Sequence, residues 1–417
     1  MLSKRRVVVT GIGAITPIGV EETVLWQSMV SGRSGVRRIR QVDVSNLKSP
    51  NGAEVDDEAL AAALAAREWR PGERATDMAL LASAQALEQA GVLAGKGPWT
   101  PQPVATIVGT SNGPSQAMGE LYAALAAKGA RGLRPTTVPR CMINTISSHI
   151  SMRFRLTGNN YTVASACTSS TIAIGLGFRM IRDGYADRVL CVGADSLFTP
   201  ATYGAWNNLG ALSRNPDPAR AARPFDRDRD GMIIGEGAGA LLLEARESAV
   251  GRQARIRGEI AGFGESSDAE HITRPSPEGQ ADAIRAALGS AEIRPEEVGF
   301  INAHGTGTRA SDEAESVAIR AVFGSHADTI PTASNKSYFG HLMGASGAVE
   351  TIVALLGLEA GRMPGNLNLD NPDPACAIGL AGPNPVPIRS PFVVKNSFGF
   401  GGSNAVLVLR RYDAPCC

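Results

Sequence analysis

Val163-Ala-Ser-Ala-Cys-Thr-Ser-Ser-Thr-Ile-Ala-Ile-Gly175 starts as a short β-like run, turns at Cys167 and continues as an apolar helix of small residues. A thiol at a helix start faces the positive end of the helix dipole, which predicts a cysteine pKa below the free value of about 8.5 and a nucleophile at this turn. Two histidines lie in comparable motifs: His304 in Asn302-Ala-His-Gly-Thr-Gly-Thr308 and His341 in Asn335-Lys-Ser-Tyr-Phe-Gly-His341. One thiol and two imidazoles point to acyl transfer. Alone, a free cysteine is most often a small buried hydrophobe. A lone histidine is by default a structural hydrogen-bonder, and His149, His271 and His326 keep that reading.

Working outward, β-like runs alternate with helical ones, which predicts α/β layers. Arg6 to Gly11 reads as a strand ending in Gly11-Ile-Gly13, Thr76 to Ala90 has helical apolar spacing, and 104–109 and 188–193 read as buried strands. Ala254-Arg-Ile-Arg-Gly-Glu-Ile-Ala-Gly-Phe-Gly264 repeats the strand-plus-glycine opening, and strands close the chain at 391–398 and 405–409. The echo divides the chain into an N-terminal half, 1–253, that carries Cys167 and a C-terminal half, 254–412, that carries both histidines. Residues 413–417, with Cys416 and Cys417, read as a frayed tail.

With 417 residues and a net charge of +1, the chain can bury a large core and has no global basic field for nucleic acid. An acidic partner would have to meet a local basic patch. No long run of apolar residues suggests a membrane span, and the start passes directly from Met-Leu-Ser-Lys-Arg-Arg into a strand. Six cysteines without metal-ligand spacing predict reduced thiols in a cytoplasm and no metal site. Gly235-Glu-Gly-Ala-Gly239 lacks the Lys-Ser/Thr of a phosphate loop and reads as tight packing.

Five ordered motifs, Ser165-Ala-Cys-Thr-Ser169, Phe225-Asp-Arg-Asp-Arg-Asp-Gly-Met-Ile-Ile-Gly-Glu-Gly-Ala-Gly239, Asn302-Ala-His-Gly-Thr306, Lys336-Ser-Tyr-Phe-Gly-His341 and Asn396-Ser-Phe-Gly-Phe-Gly-Gly402, resemble those of the elongating β-ketoacyl-acyl carrier protein synthases. The resemblance spans almost the whole chain. It implies an α/β, thiolase-like fold of two similar βαβ halves in five α-β-α-β-α layers, working as a dimer. Two histidines separate the chain from initiating synthases, with their Cys-His-Asn set, and from thiolases, which use a second cysteine.

The resemblance also assigns roles. Cys167 would take an acyl group from a carrier-protein thioester, and the Nε2–H groups of His304 and His341 would hold the enolate oxygen formed when malonyl-carrier loses carbon dioxide. Lys336 would order the site. Phe400 would place its backbone N–H beside that of Cys167 as an oxyanion hole, its ring gating the acyl tunnel. Thr306 and Thr308 would hold the phosphopantetheine arm, which arrives on the acyl carrier protein, so the protein itself needs no bound cofactor. Asn112 and Trp206 would line the acyl pocket. A polar Asn112 there predicts short, unsaturated or oxygenated chains over long saturated ones. Arg67, Arg70, Arg74 and Arg214 would dock the acidic carrier. Asp312 and Glu315 read first as helix caps and second as partners of Lys336, and Glu350 lines the helix after His341 without an assigned role.

Some alternatives stay open. A catalytically silent, chain-length-setting partner subunit would use the same fold, although such partners usually lack the cysteine. Fatty-acid and polyketide or polyene elongation share the same catalytic set; Thr168-Ser-Ser-Thr-Ile172 and Thr110-Ser-Asn-Gly-Pro-Ser115 depart from common fatty-acid versions and favour a specialised pathway. The dimer could be a homodimer or a heterodimer with a cysteine-less paralogue.

Overall fold

The computed structural model describes residues 4–94, 97 and 99–412; the predicted tail at 413–417 lies outside the described residues. In the main sheet, five strands build the first half: β1 (Val7–Ile15), β2 (Ala105–Gly109), β3 (Asn160–Val163), β4 (Arg188–Asp195) and β5 (Gly237–Ala245). Five more build the second: β6 (Gly258–Ser267), β7 (Val298–Asn302), β8 (Thr332–Ala333), β9 (Phe392–Gly399) and β10 (Ser403–Arg410). The halves have one topology. Their orders are β3-β2-β4-β5-β1 and β8-β7-β9-β10-β6, and in both the first three are parallel while the last two are antiparallel. A short antiparallel contact, Val7–Val9 against Gly258–Ile260, joins them edge to edge.

Helices complete five layers. α1 (Arg74–Gln89) and α2 (Thr145–Phe154) cover the outer face of the first sheet, and α4 (Pro277–Ala291), with α5 (Arg309–Phe323) packed on it, covers that of the second. Between the sheets lie α3 (Ser169–Arg182) and α6 (Ser346–Ala360). Period-2 side-chain alternation feeds three cores. Leu241, Leu243, Leu407 and Leu409 point inward to the central layer, whereas Leu242 joins the first outer core and Val406 and Val408 the second. Strands buried on both faces explain the nearly unbroken apolar runs in the sequence.

The matched glycine openings have a shared cause. A Cβ at Gly11 or Gly13 would collide with backbone of Ala86 or Ala82 in α1, and one at Gly262 or Gly264 with backbone of Ala287 or Ala283 in α4. Each half therefore lays a helix, α1 or α4, directly on its first strand.

The sequence reading found no membrane-span candidate, yet Met343–Ala360 is long and apolar enough to be one by composition. It is 89% buried inside the protein. The central position accounts for this: α6 touches both sheets, so it has no polar face.

Candidate active site

The two central helices begin alike. Ala166–Thr168 and Met343–Ala345 are single 3₁₀ turns leading into α3 at Ser169 and α6 at Ser346, and each starts on a non-glycine residue with positive φ, Ala166 at 48° and Met343 at 50°. Such backbone costs about 1–3 kcal/mol and persists where surrounding structure imposes it. In the first half the turn presents Cys167; in the second it receives His341.

Cys167 Sγ lies 3.0 Å from His341 Nε2. His304 stands edge-on to His341, with ring centroids 5.2 Å apart, and one donor atom from each of the three residues falls within 4.8 Å of the others. The tautomer of His341 follows from its other nitrogen. Met343 N–H donates to Nδ1 at 3.2 Å, so Nδ1 carries the lone pair and Nε2 the proton. Ser346 Oγ is also 2.9 Å from Nδ1. The backbone of His341 is held by Ile233 and Gly235 at 2.7 and 2.8 Å, which gives the 225–239 motif a structural task. Burial first, then the charge of Lys336, holds both imidazoles well below their ordinary pKa. Both are neutral N–H donors.

The thiol differs from expectation. Burial pushes Cys167 up to about 11, against the downward pull of Lys336 and of the Phe400 backbone N–H. The helix start does not lower this thiol, because burial outweighs the favourable charges around it. Phe400 N–H nevertheless points at the sulfur, as an oxyanion-hole amide would.

Behind the histidines lies a buried charge cluster. Lys336 Nζ donates to the His304 carbonyl at 2.6 Å and pairs with Glu350 at 2.5 Å. The other Glu350 oxygen pairs with Lys395 at 3.0 Å. Glu315 accepts the backbone N–H groups of His304 and Gly305, both at 2.8 Å, and the Asn396 amide at 3.0 Å. Asp312 accepts those of Phe225 and Gly307 at 2.8 and 3.1 Å and pairs with Arg229 at 3.3 Å; burial raises it to about 7. Neither carboxylate caps its helix and neither touches Lys336, although the charge of Lys336 acts on Glu315. They fix the loop that carries His304.

A small cavity of about 90 Å³ opens onto Cys167, His304 and His341. Trp206, Thr306, Thr308 and Phe400 all line it. The Phe400 ring stacks on Trp206, centroids 5.7 Å apart, and the two threonine hydroxyls are 2.8 Å apart. Asn112 is not brought there: it is exposed, and its backbone N–H bonds Asp195 at 3.3 Å. Asp195 also accepts from Thr110, Ser111 and Gly344, which turns the 110–112 loop back on itself. In the single chain Asn112 thus faces outward, away from the residues that line the Cys167 cavity.

The arginine group also divides. Arg74 is turned inward, forked on Glu236 at 2.6–2.9 Å and bound to Asp57 and the Val55 carbonyl at 2.7 Å, so it is no docking charge. Arg67 is paired with Glu88 at 2.6 and 2.8 Å. Arg70 is exposed beside Arg140 and Arg153 along a separate cavity, and Arg214 is exposed. Arg274, which sequence spacing did not single out, is exposed and lines the Cys167 cavity. Also missed were Lys395, Glu315 as a loop anchor and Asp195. Only the position of Lys395 next to the Asn396–Gly402 motif could have flagged it.

Residues 4–249 match the β-ketoacyl synthase N-terminal domain family and residues 257–370 its C-terminal domain family. The chain is 37% identical over 415 residues to the 3-oxoacyl-[acyl-carrier-protein] synthase 2 of Synechocystis sp., covering 99% of each. It is 38% identical over 414 residues to that of Coxiella burnetii, covering 98% of this chain and 99% of the relative. Among solved structures, the ishigamide ketosynthase/chain length factor superposes with a TM-score of 0.89 at 35% identity, over 99% of this chain and 100% of that one. A type II polyketide synthase acyl-carrier protein in complex with its ketosynthase bound to the hexaketide gives 0.90 at 27% identity, again over 99% and 100%. Full-length relatives and two domain families that fall on the two halves of the sheet agree with the Cys-His-His geometry: the chain belongs to the β-ketoacyl synthase family.

Proposed function

We propose that this β-ketoacyl synthase, an acyltransferase that condenses an acyl thioester with malonyl-carrier, runs its two half-reactions through Cys167 and the His304–His341 pair. In the first, Cys167 Sγ bonds the acyl carbonyl carbon, the carbon–sulfur bond to the carrier's phosphopantetheine breaks, and that thiol departs with the proton. Sulfur needs stabilisation as it ionises, and His341 Nε2–H and Phe400 N–H supply it in a water-poor cavity. In the second, the malonyl thioester loses carbon dioxide, and its enolate oxygen accepts from the two Nε2–H groups. The enolate carbon then bonds the acyl carbon, and the bond to Cys167 breaks. The observation that carries the reading is the 3.0 Å approach of Cys167 to a histidine whose tautomer is fixed as a donor. Its presence also counts against the silent partner subunit.

An acyl carrier protein is the partner. Its pantetheine arm would pass Thr306 and Thr308, with exposed Arg274 at the cavity and exposed Arg214 as candidate docking charges. A second chain would cover the β3 edge: β3 ends its sheet unpaired, and Tyr122, Val138, Met142, Ile143, Met152 and Tyr161 expose apolar surface in the same part of the chain. Trp206 remains a wall of the acyl cavity and supports a preference for short or unsaturated chains.

Incubation with an acyl-carrier thioester followed by peptide mass mapping tests the nucleophile. The acyl mass is expected on Cys167. An adduct on half-exposed Cys141 with Cys167 unmodified would overturn the assignment.

A further inference from the structure

Lys395 is fully buried and lies outside every role described for the reaction. Its ammonium sits where three catalytic elements converge. It donates to Thr171 Oγ1 at 3.1 Å, one turn beyond Cys167 on α3; it bonds Ser397 Oγ on β9, the strand that leads to Phe400; and it pairs with Glu350 at 3.0 Å on α6, the helix after His341. Thr171 and Ser397 also bond each other at 2.8 Å.

Glu350 is fully buried and shared between Lys336 and Lys395, and Glu315 is the other buried carboxylate that acts on Lys395. Two ammoniums and two carboxylates make a neutral quartet behind the histidines. If Lys395 gives up its proton, the quartet becomes an anion beneath the place where the enolate charge develops. Both His304 and His341 feel the positive charge of Lys395, which helps to hold them neutral. No such influence of Lys395 is among the leading ones on Cys167.

We propose that Lys395 is a positioning residue for the decarboxylation half-reaction, its ammonium balancing the charge behind His304 and His341 so that they can donate to the enolate. The proposal rests on the Cys167, His304 and His341 reading above. Burial brings Lys395 down to about 8, so this balance is lost on the alkaline side of neutrality. A lysine with a depressed pKa favours folding above the unfolded value of about 10.4, and that contribution is lost as pH falls through about 8. At pH 7 the ammonium is thus a cost to stability, which sets a functional role apart from a structural one.

The test measures decarboxylation of malonyl-pantetheine by the full chain from pH 6.5 to 9.5, with the acyl load on Cys167 followed separately by mass. Wild type is expected to lose about tenfold in rate with a midpoint near pH 8, as one buried charge near a developing anion implies. Lys395→Met is expected to be about tenfold slower at pH 7, flat across the range and still loaded at Cys167. A Lys395→Met profile with the wild-type rate and midpoint would overturn the proposal. So would a lowered thermal midpoint with the pH profile retained, since that describes a structural tie alone. Failure of wild type to load Cys167 would instead indict the underlying reading.

Discussion

His341 owes its donor role to one backbone amide, that of Met343, whose positive φ aims N–H at Nδ1. His304 lacks a partner on its buried Nδ1 and is held instead through its main chain, by Glu315 on the N–H and Lys336 on the carbonyl. In the proposed mechanism both devices serve the step in which an oxygen gains charge. Replacing either histidine by alanine should therefore leave Cys167 loading detectable while malonyl decarboxylation falls by about a hundredfold or more, the loss typical of one oxyanion donor. Single-turnover decarboxylation of each variant checks this; wild-type rates in both would refute the division of labour. At this same scale the raised Cys167 pKa means that ionisation accompanies attack instead of preceding it.

At the scale of elements, duplication is the organising device: the same 3₁₀ turn and helix occur twice, and one copy supplies the nucleophile while the other seats the histidine. It depends on α1 and α4 lying directly on the first strand of each half. Gly264→Val would drive side-chain carbon into the backbone of Ala283 and Ala287, and should destabilise the protein by about 3 kcal/mol, the upper part of the usual range for overpacking. Gly289→Ala gives the opposite sign. That glycine is exposed inside α4 with nothing near its would-be Cβ, so alanine should stabilise by up to about 1 kcal/mol. Denaturant midpoints of the two variants measured together decide both.

For the whole molecule, the unpaired β3 edge and its apolar neighbours require cover, and a second chain supplies it in the proposed dimer. Wild type should scatter light as two chains. Tyr161→Asp with Val138→Asp should shift the mass toward one chain, because an aspartate in a closed apolar interface is left without a partner. An unchanged mass would place the contact elsewhere.

The sequence by itself marked Cys167, His304 and His341, its family resemblance added Thr306, Thr308 and Phe400, and all six line one cavity; the doubled strand-plus-glycine plan was legible as well. The local patterns are a turn before a helix, histidines in glycine-containing motifs, and glycines within a strand where a helix packs too closely for a side chain. Only the tertiary structure decided that Arg74 faces Glu236 and not a carrier, that Asn112 is exposed while Trp206 lines the cavity, and that the Cys167 thiol is raised and not lowered. Only it joined Lys336, Glu350 and Lys395. The physical reason is common to all: an ionisable group's state depends on its burial and on the charges that meet it, and those charges come from segments tens to hundreds of residues apart, whose approach no local spacing records.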